Sequence, residues 1–402
     1  MIRPPLPDLS AERERRAPQG PRLQLGRVVT LAAAHCVHDV YTAFLAPWLP
    51  LLIARLQLSL LQAGSLTLFL QLPSLVNPWL GALADRRGYT RAMVILSPAA
   101  TGAAMSLLGL APSFGALAIL LLVAGVSVAA LHVAAPVAMA EAAGERTGLG
   151  MSFHMLGGEL ARTIGPLLAV QVVSWWGLQG AWRLIPLGFA ASLLLWWRLG
   201  RLPLNPQREA PTGLVAVLVR LRRVFLAVLG IMGPRAFLAA AVTSFLPTLL
   251  HGEGASLWFA SAALAAFEAA GAVGVFGAGA ISDRLGRRPV VLAAVVLSPP
   301  LMVLFLVVHG YLQLLVLLAL GLVMLATTPV LMAAVIENAG ADRAAANGVY
   351  MMINFTVRSL VVPVVGAMGD ALGLREAYWI CTGIAVLGIP FALLLPKGRR
   401  AA

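Results

Sequence analysis

The octapeptide Gly81-Ala-Leu-Ala-Asp85-Arg86-Arg87-Gly88 returns as Gly279-Ala-Ile-Ser-Asp283-Arg284-Leu285-Gly286, 198 positions later. Each copy is a short hydrophilic wedge between two apolar runs, and each run is about the twenty residues a helix needs to cross the hydrocarbon core of a bilayer. Such runs, paired around the same wedge half a chain apart, have no place in a soluble fold. The chain is expected to be an all-α, polytopic membrane protein made of two related halves, with a hinge between the second and third helix of each.

The remaining sequence bears on the same expectation. Of 402 residues, 60% are apolar and 11% charged, where a soluble chain carries about 25% charged residues. The surplus is spread over the whole length, which leaves no room for a large soluble domain. Apolar segments fall near 28–55, 62–84, 92–111, 114–140, 147–175, 180–199, 224–250, 256–281, 289–308, 312–336, 346–369 and 376–396. Twelve transmembrane helices put both termini on one side. The expected organisation is a tail (1–27), a six-helix bundle (28–199), a linker (200–223), a second six-helix bundle (224–396) and a short tail (397–402). Arg55, Arg183 and Arg375 lie on the far side and Arg162, Arg235 and Arg358 within spans; the rest of the 29 basic residues lie on the side of the termini. That asymmetry makes this side cytoplasmic and accounts for the +13 net charge without a nucleic-acid partner. The apolar run continues some twenty residues past Ala32-Ala33-Ala34, so the first helix reads as uncleaved.

Two further matches support duplication. Gly177-Leu-Gln-Gly-Ala-Trp182 aligns with Gly373-Leu-Arg-Glu-Ala-Tyr378, and Thr42-Ala-Phe-Leu45 with Thr243-Ser-Phe-Leu246, at offsets of 196 and 201. In the linker, Leu214, Val217, Leu218 and Leu221 at helical spacing beside Arg220, Arg222 and Arg223 predict a short amphipathic helix on the membrane surface. Within the hinges, Gly88 and Gly286 supply the turn. Gly81 and Gly279 are expected to let helices approach, and Asp85 and Asp283, beside Arg86 and Arg284, to pair with basic groups or helix ends.

Ionisable residues fall near the bilayer centre by helical rise: Asp39 on helix 1, Glu159 and Arg162 on helix 5, Arg235 on helix 7, Glu268 on helix 8 and Arg358 on helix 11. A charge there costs at least about 2.5 kcal/mol, so these groups are expected to line an interior cavity and pair. Asp39, with His35 and His38 as neighbours, is the foremost proton carrier, and Glu159 and Glu268 join it as proton-coupling candidates. Arg162, Arg235 and Arg358 suit an anionic substrate, with His132 and Tyr41 as further substrate-binding candidates. Glu159 and Arg162, at i,i+3, can contact each other as a structural pair or a functional one. Gly157, Gly158, Gly165 and Pro166 thin and kink helix 5. The histidines are scattered over several spans, Cys36 and Cys381 are far apart, and no metal-ligand spacing, cofactor motif, phosphate loop or catalytic triad is found. No enzyme activity, metal or cofactor is expected.

With these residues in view, the chain resembles the major facilitator superfamily over residues 25–397. The superfamily's hinge motif, Gly-x-Leu-x-Asp-Arg-x-Gly-Arg-Arg, is matched at Gly81 to Gly88 and more closely at Gly279 to Arg288, with Ile281 replacing the leucine. His35-Cys-Val-His38-Asp39, Phe44-Leu-Ala-Pro-Trp-Leu-Pro50, Gln71-Leu-Pro-Ser-Leu-Val-Asn77-Pro78 and Gly157-Gly158-Glu159-Leu-Ala-Arg162-Thr-Ile-Gly165-Pro166 resemble the fosmidomycin-resistance-type efflux proteins. The resemblance implies two pseudo-symmetric six-helix bundles, a cavity lined by helices 1, 4, 5, 7, 8 and 11, and hinges that help hold the cytoplasmic side closed. Gly165-Pro166 resembles the Gly-Pro motif of the superfamily's antiporters but continues Leu167-Leu168-Ala169 instead of a double glycine. The function so implied is proton-coupled efflux of a small polar or anionic compound by a monomer in the bacterial inner membrane. Proton-coupled uptake of an organic anion, or a receptor or scaffold that transports nothing, are the alternatives.

Overall fold

A computed structural model describes residues 23–199, 214–339 and 343–396, without the side chains of Pro78, Ala82, Asp85, Arg86, 214–216 and 343–345. Both expected tails, except residues 23–27, and most of the linker lie outside the described residues. Ten of the described helical stretches are long and apolar enough to cross a membrane. One of them, Phe114–Trp176, doubles back at Gly144–Arg146 and forms two packed spans. A further stretch is interrupted: Leu60–Gln71, a 3-10 turn Leu72–Val76 and Asn77–Arg87. The result is twelve spans, numbered 1 to 12 in chain order below.

The three sequence matches between the halves prove to be matches of backbone geometry. Span 1 breaks between helices Leu25–Thr42 and Leu45–Leu56, and span 7 passes through a π-helical turn, Ala241–Phe245, at the corresponding place. Thr42 Oγ1 donates to Asp39 O at 2.8 Å and Thr243 Oγ1 to Ala239 O at 2.7 Å, so in both spans a threonine takes up a carbonyl at the irregular turn. The paired turn glycines all adopt positive φ: Gly88 (68°) with Gly286 (93°), and Gly177 (68°) with Gly373 (95°). Residues carrying a Cβ resist that conformation, which explains why these positions recur as glycine.

Serines start three of the spans that leave the far face. Ser59 makes a reciprocal capping box with Gln62, Ser113 accepts from Ala116 N–H, and Ser256 accepts from Phe259 N–H. Trp175, Trp176, Trp182 and Trp258 are exposed near that face, and Trp79, Trp196 and Trp197 near the other. Two separated tryptophan belts with exposed aliphatic residues between them are the outer surface of a membrane protein.

How the halves meet decides where a cavity can lie. Toward the far face one apolar core runs across both halves, joining Trp48, Leu49 and Leu52 to Phe245, Leu246 and Leu249. Toward the face bearing the termini the core divides in two. One cluster surrounds Val28, Ala138 and Leu195, and the other surrounds Val228, Val335 and Tyr350. The far end is further sealed by spans 2 and 11. Gly64 faces Val362 O, Gly366 faces Leu60 O, and the Asp370 carboxylate accepts from Leu60 N–H at 2.7 Å and Leu61 N–H at 2.8 Å.

The linker helix expected on the membrane surface is Leu214–Arg220. It is docked on the protein: Val217 and Leu221 are buried in the second half's core, and Arg220 Nη2 donates to Ala339 O at 2.5 Å.

Candidate functional site

Between the halves, above the far-end seal, lies a cavity of about 220 Å³. Asp39, His132 and Arg162 line it from the first half, and Thr243, Glu268, Phe355 and Arg358 from the second. Most of the central charges that helical rise placed at one depth therefore share one chamber, as their cost in lipid demands.

The first-half wall is built on packing between spans 1 and 5. Gly157 lies against Ala32 O, Gly165 against Ala43 and Val40 O, and Gly158 against the His35 ring and Asp39 Oδ2. A Cβ on Gly157 or Gly165 would sit 2.5 Å from its neighbour, so these glycines let span 5 approach closely. Gly158 leaves the space that His35 and Asp39 fill. Substituting Gly157 with valine is expected to lower stability by about 1–3 kcal/mol through overpacking, measured as detergent melting, because the clash is with backbone.

Asp39 is enclosed by imidazoles. His38 Nδ1 donates to Oδ1 at 2.8 Å, while His35 Nε2 and His132 Nε2 lie 3.1 and 3.6 Å from Oδ2. His35 stacks on His154 with ring centroids 4.1 Å apart. Behind His38, Thr101 Oγ1 is 2.9 Å from Nε2 and 2.8 Å from Ser127 Oγ, whose own proton goes to Ser97 O. One threonine hydroxyl proton cannot serve both neighbours, so this chain has two proton arrangements ending at Asp39. The histidines scattered over several spans thus converge. Among the described residues, His35, Asp39 and His132 bring one donor atom each within 4.8 Å of one another. His35 and Asp39 are an i,i+4 pair on span 1, and only helix packing brings His132 of span 4 to them, so the sequence spacing does not display the three donors together.

Arg162 spans the two halves. It donates to Glu159 Oε1 on its own helix, and its Nε lies 3.5 Å from Glu268 Oε2 on span 8. Arg358 is different. Among the described residues its only hydrogen-bond partner is Thr243 Oγ1, at 3.4 Å, and no carboxylate lies within ion-pair distance. The second half therefore turns a guanidinium into the chamber with most of its donors unused.

A family model described as Major Facilitator Superfamily matches residues 31–278 and 254–402. The chain belongs to the major facilitator superfamily. It is a multi-pass membrane transporter and not an enzyme. Its relatives include the fosmidomycin resistance protein of Escherichia coli (strain K12), 25% identical with 94% of each chain covered. Another is an uncharacterised MFS-type transporter of Bacillus subtilis (strain 168), 24% identical with 93% of each covered. Among solved structures, a bacterial homologue of the lysosomal transporter Spinster, inward-facing and occupied, has TM-score 0.78 at 15% identity, covering 92% of this chain and 96% of the other. A D-xylose–proton symporter has TM-score 0.72 at 18% identity, covering 92% and 97%. These likenesses show the superfamily fold.

Within that fold several expected roles change. Arg235 does not line the chamber: its guanidinium donates to Met324 O at 2.9 and 3.2 Å and to Thr328 Oγ1 at 3.2 Å. It fastens the break in span 10 between Tyr311–Leu325 and Thr327–Asn338. Helical rise gave its depth correctly but not its direction around the helix axis. Tyr41 is likewise buried away from the chamber, donating to Leu184 O at 2.6 Å and packing on Gly102. His38, His35 and Glu159 stand behind the chamber wall. At the hinges, among the described residues, nothing lies within 4 Å of a Cβ placed on Gly279, and only Val133 approaches one on Gly81. The close approach expected there belongs instead to spans 2 with 11 and 1 with 5.

Asp283 pairs at 2.6 Å with Arg287, a basic group at the start of the next span, and Arg287 also reaches Glu337 on span 10 at 2.7 Å. The side chains of Asp85 and Arg86 lie outside the described residues. Arg287 was not singled out in the sequence, although it sits in the basic half of the motif. Both its carboxylate partners are substantially exposed, and exposed pairs contribute about 0.2–1 kcal/mol. Arg287→Ala is therefore expected to change the turnover rate by at most about fivefold, read as flux at saturating substrate.

Proposed function

We propose that this transporter is a proton-coupled exporter of a small anionic organic compound. It sits in the bacterial inner membrane with both termini cytoplasmic, and its chamber in this state is sealed on the outer side. The observation that carries the substrate class is Arg358, a guanidinium turned into the chamber with no carboxylate within ion-pair distance among the described residues. A carboxylate, phosphate or phosphonate offers the two parallel acceptors a guanidinium fits. Arg162, already held by Glu159 and Glu268, presents a second positive edge on the opposite wall. Asp39 is the proton carrier: it lines the chamber, its charge changes with one proton, and imidazoles and hydroxyls behind it supply a path. Export is favoured by the name of the Escherichia coli relative, a resistance protein.

The test is a susceptibility panel of anionic antimicrobials in an efflux-deficient bacterium, followed by flux in proteoliposomes under an imposed pH gradient. Raised tolerance together with gradient-driven flux supports the reading; flux that ignores the gradient overturns the coupling. Arg358→Ala is expected to weaken substrate binding by about tenfold to a hundredfold, the range for losing a charged hydrogen bond of about 1.5–3 kcal/mol. Its melting temperature in detergent should stay unchanged, since no buried carboxylate loses its partner.

A further inference from the structure

We propose that His35, Asp39 and His132 form a binding site for a single divalent d-block cation of the zinc class. The argument starts with where the ring protons lie. His35 Nδ1 is 2.9 Å from His154 O, and His132 Nδ1 is 2.9 Å from Val128 O. A carbonyl oxygen only accepts, so in each ring Nδ1 carries the proton and the neutral ring presents a bare lone pair at Nε2. Both Nε2 atoms point at the same carboxylate oxygen, Asp39 Oδ2, at 3.1 and 3.6 Å. With both rings neutral, three acceptors converge with no donor among them. His35 is 5% exposed and its Nε2 finds no hydrogen-bond partner, although that atom lies at contact distance from Oδ2. The contact becomes favourable when a positive centre stands between the atoms, either a proton on the ring or a metal ion held by all three.

The geometry fits an ion. Metal–donor bonds of about 2.0–2.2 Å in a tetrahedral site hold donors about 3.3–3.6 Å apart, and the two measured edges bracket that range. The remaining edge lies within 4.8 Å. His132 can shorten it, because its side chain is about one-third exposed, whereas those of His35 and Asp39 are almost wholly buried. The supporting contacts are those that orient metal ligands: each imidazole donates its other ring proton to a backbone carbonyl, and His38 holds the second carboxylate oxygen at 2.8 Å.

Two imidazoles and one carboxylate select a zinc-class ion over calcium or magnesium, which prefer oxygen ligands. A fourth position opens toward the chamber past Asp39 and His132, where water completes the shell. The nearby charges permit a cation: Asp39, Glu159 and Glu268 outnumber Arg162 and Arg358.

Binding is read without any transport measurement, so the site and the transport reading can fail separately. Tag-free, full-length protein in nanodiscs is stripped with a chelator. It is then titrated with Co²⁺ by visible absorption and with Zn²⁺ by calorimetry. The expected result is one equivalent of Co²⁺ with the intense bands of a tetrahedral ion. His132→Asn should weaken binding by at least about tenfold, and His38→Gln, which removes the imidazole that orients Asp39, by about 10–100-fold. His251→Asn should leave it unchanged, since that histidine also donates Nδ1 to a carbonyl but belongs to no such donor cluster among the described residues. His132 is partly exposed, so its variant is expected to fold, and the melting curve checks this. A flat titration, or binding that His132→Asn leaves intact, overturns the proposal.

Discussion

Asp39→Asn is expected to abolish gradient-driven transport while leaving the protein folded and inserted. The carboxamide has nearly the carboxylate's shape, and its oxygen can still accept from His38 Nδ1 at the place where Oδ1 now lies 2.8 Å away. What disappears is the negative charge and the proton it can carry. His35 and His132 would then face an uncharged amide, and no other acid lines the first-half wall of the chamber among the described residues. Glu268 lines the opposite wall but lies within ion-pair range of Arg162, and Glu159 is committed to the same arginine. Flux in proteoliposomes after a pH jump should fall to the level of empty vesicles. Binding of the anion should persist, because Arg162 and Arg358 are untouched. Chelator in the buffer separates this loss from any effect of a bound metal. Accumulation that still follows the pH gradient in the variant would remove Asp39 from the coupling role.

How much of this was legible in the sequence depended on the physical signal involved. Hydrophobic length gave the spans because the bilayer imposes one thickness on each of them. The repeated glycines gave the turns, since positive φ restricts the choice of residue. Helical rise gave the depth of the central charges, and depth sufficed for Asp39, Arg162, Glu268 and Arg358. It failed for Arg235 and Tyr41, whose side chains leave the helix in another direction and end on Met324 O, Thr328 Oγ1 and Leu184 O. Direction around a helix depends on packing partners, which a single sequence does not display. The same limit hid the meeting of His132 and His154 with His35, since those residues come from spans 4 and 5 and share no spacing. Arg287 was hidden for another reason: in a motif with several arginines, only the fold decides which one reaches across to Glu337.

Gly366→Val is expected to drive the transporter out of the state seen here, toward one open at the far face. A Cβ at position 366 would lie 2.2 Å from Leu60 O and 2.7 Å from the Leu60 carbonyl carbon. Both are backbone atoms of the opposing span, so no rotamer change relieves the clash; spans 2 and 11 must separate. Overpacking of this kind costs about 1–3 kcal/mol or more, and the state with the far ends apart does not bear it. The population ratio should therefore shift by about fivefold to more than a hundredfold. Asp370→Ala acts in the same direction by removing the acceptor for Leu60 N–H and Leu61 N–H, a carboxylate placed at the positive end of span 2. Its effect should be smaller, because the site is exposed and water replaces the lost bonds. The measurement is labelling by a membrane-impermeant thiol reagent of a cysteine introduced at Thr67 on the chamber wall, in a background lacking Cys36 and Cys381. Reaction from the far side should be slow in the parent protein, faster with Asp370→Ala and fastest with Gly366→Val, and turnover should fall in the reverse order. Equal labelling in all three would mean that this glycine and carboxylate pack the helices together without governing which face is open.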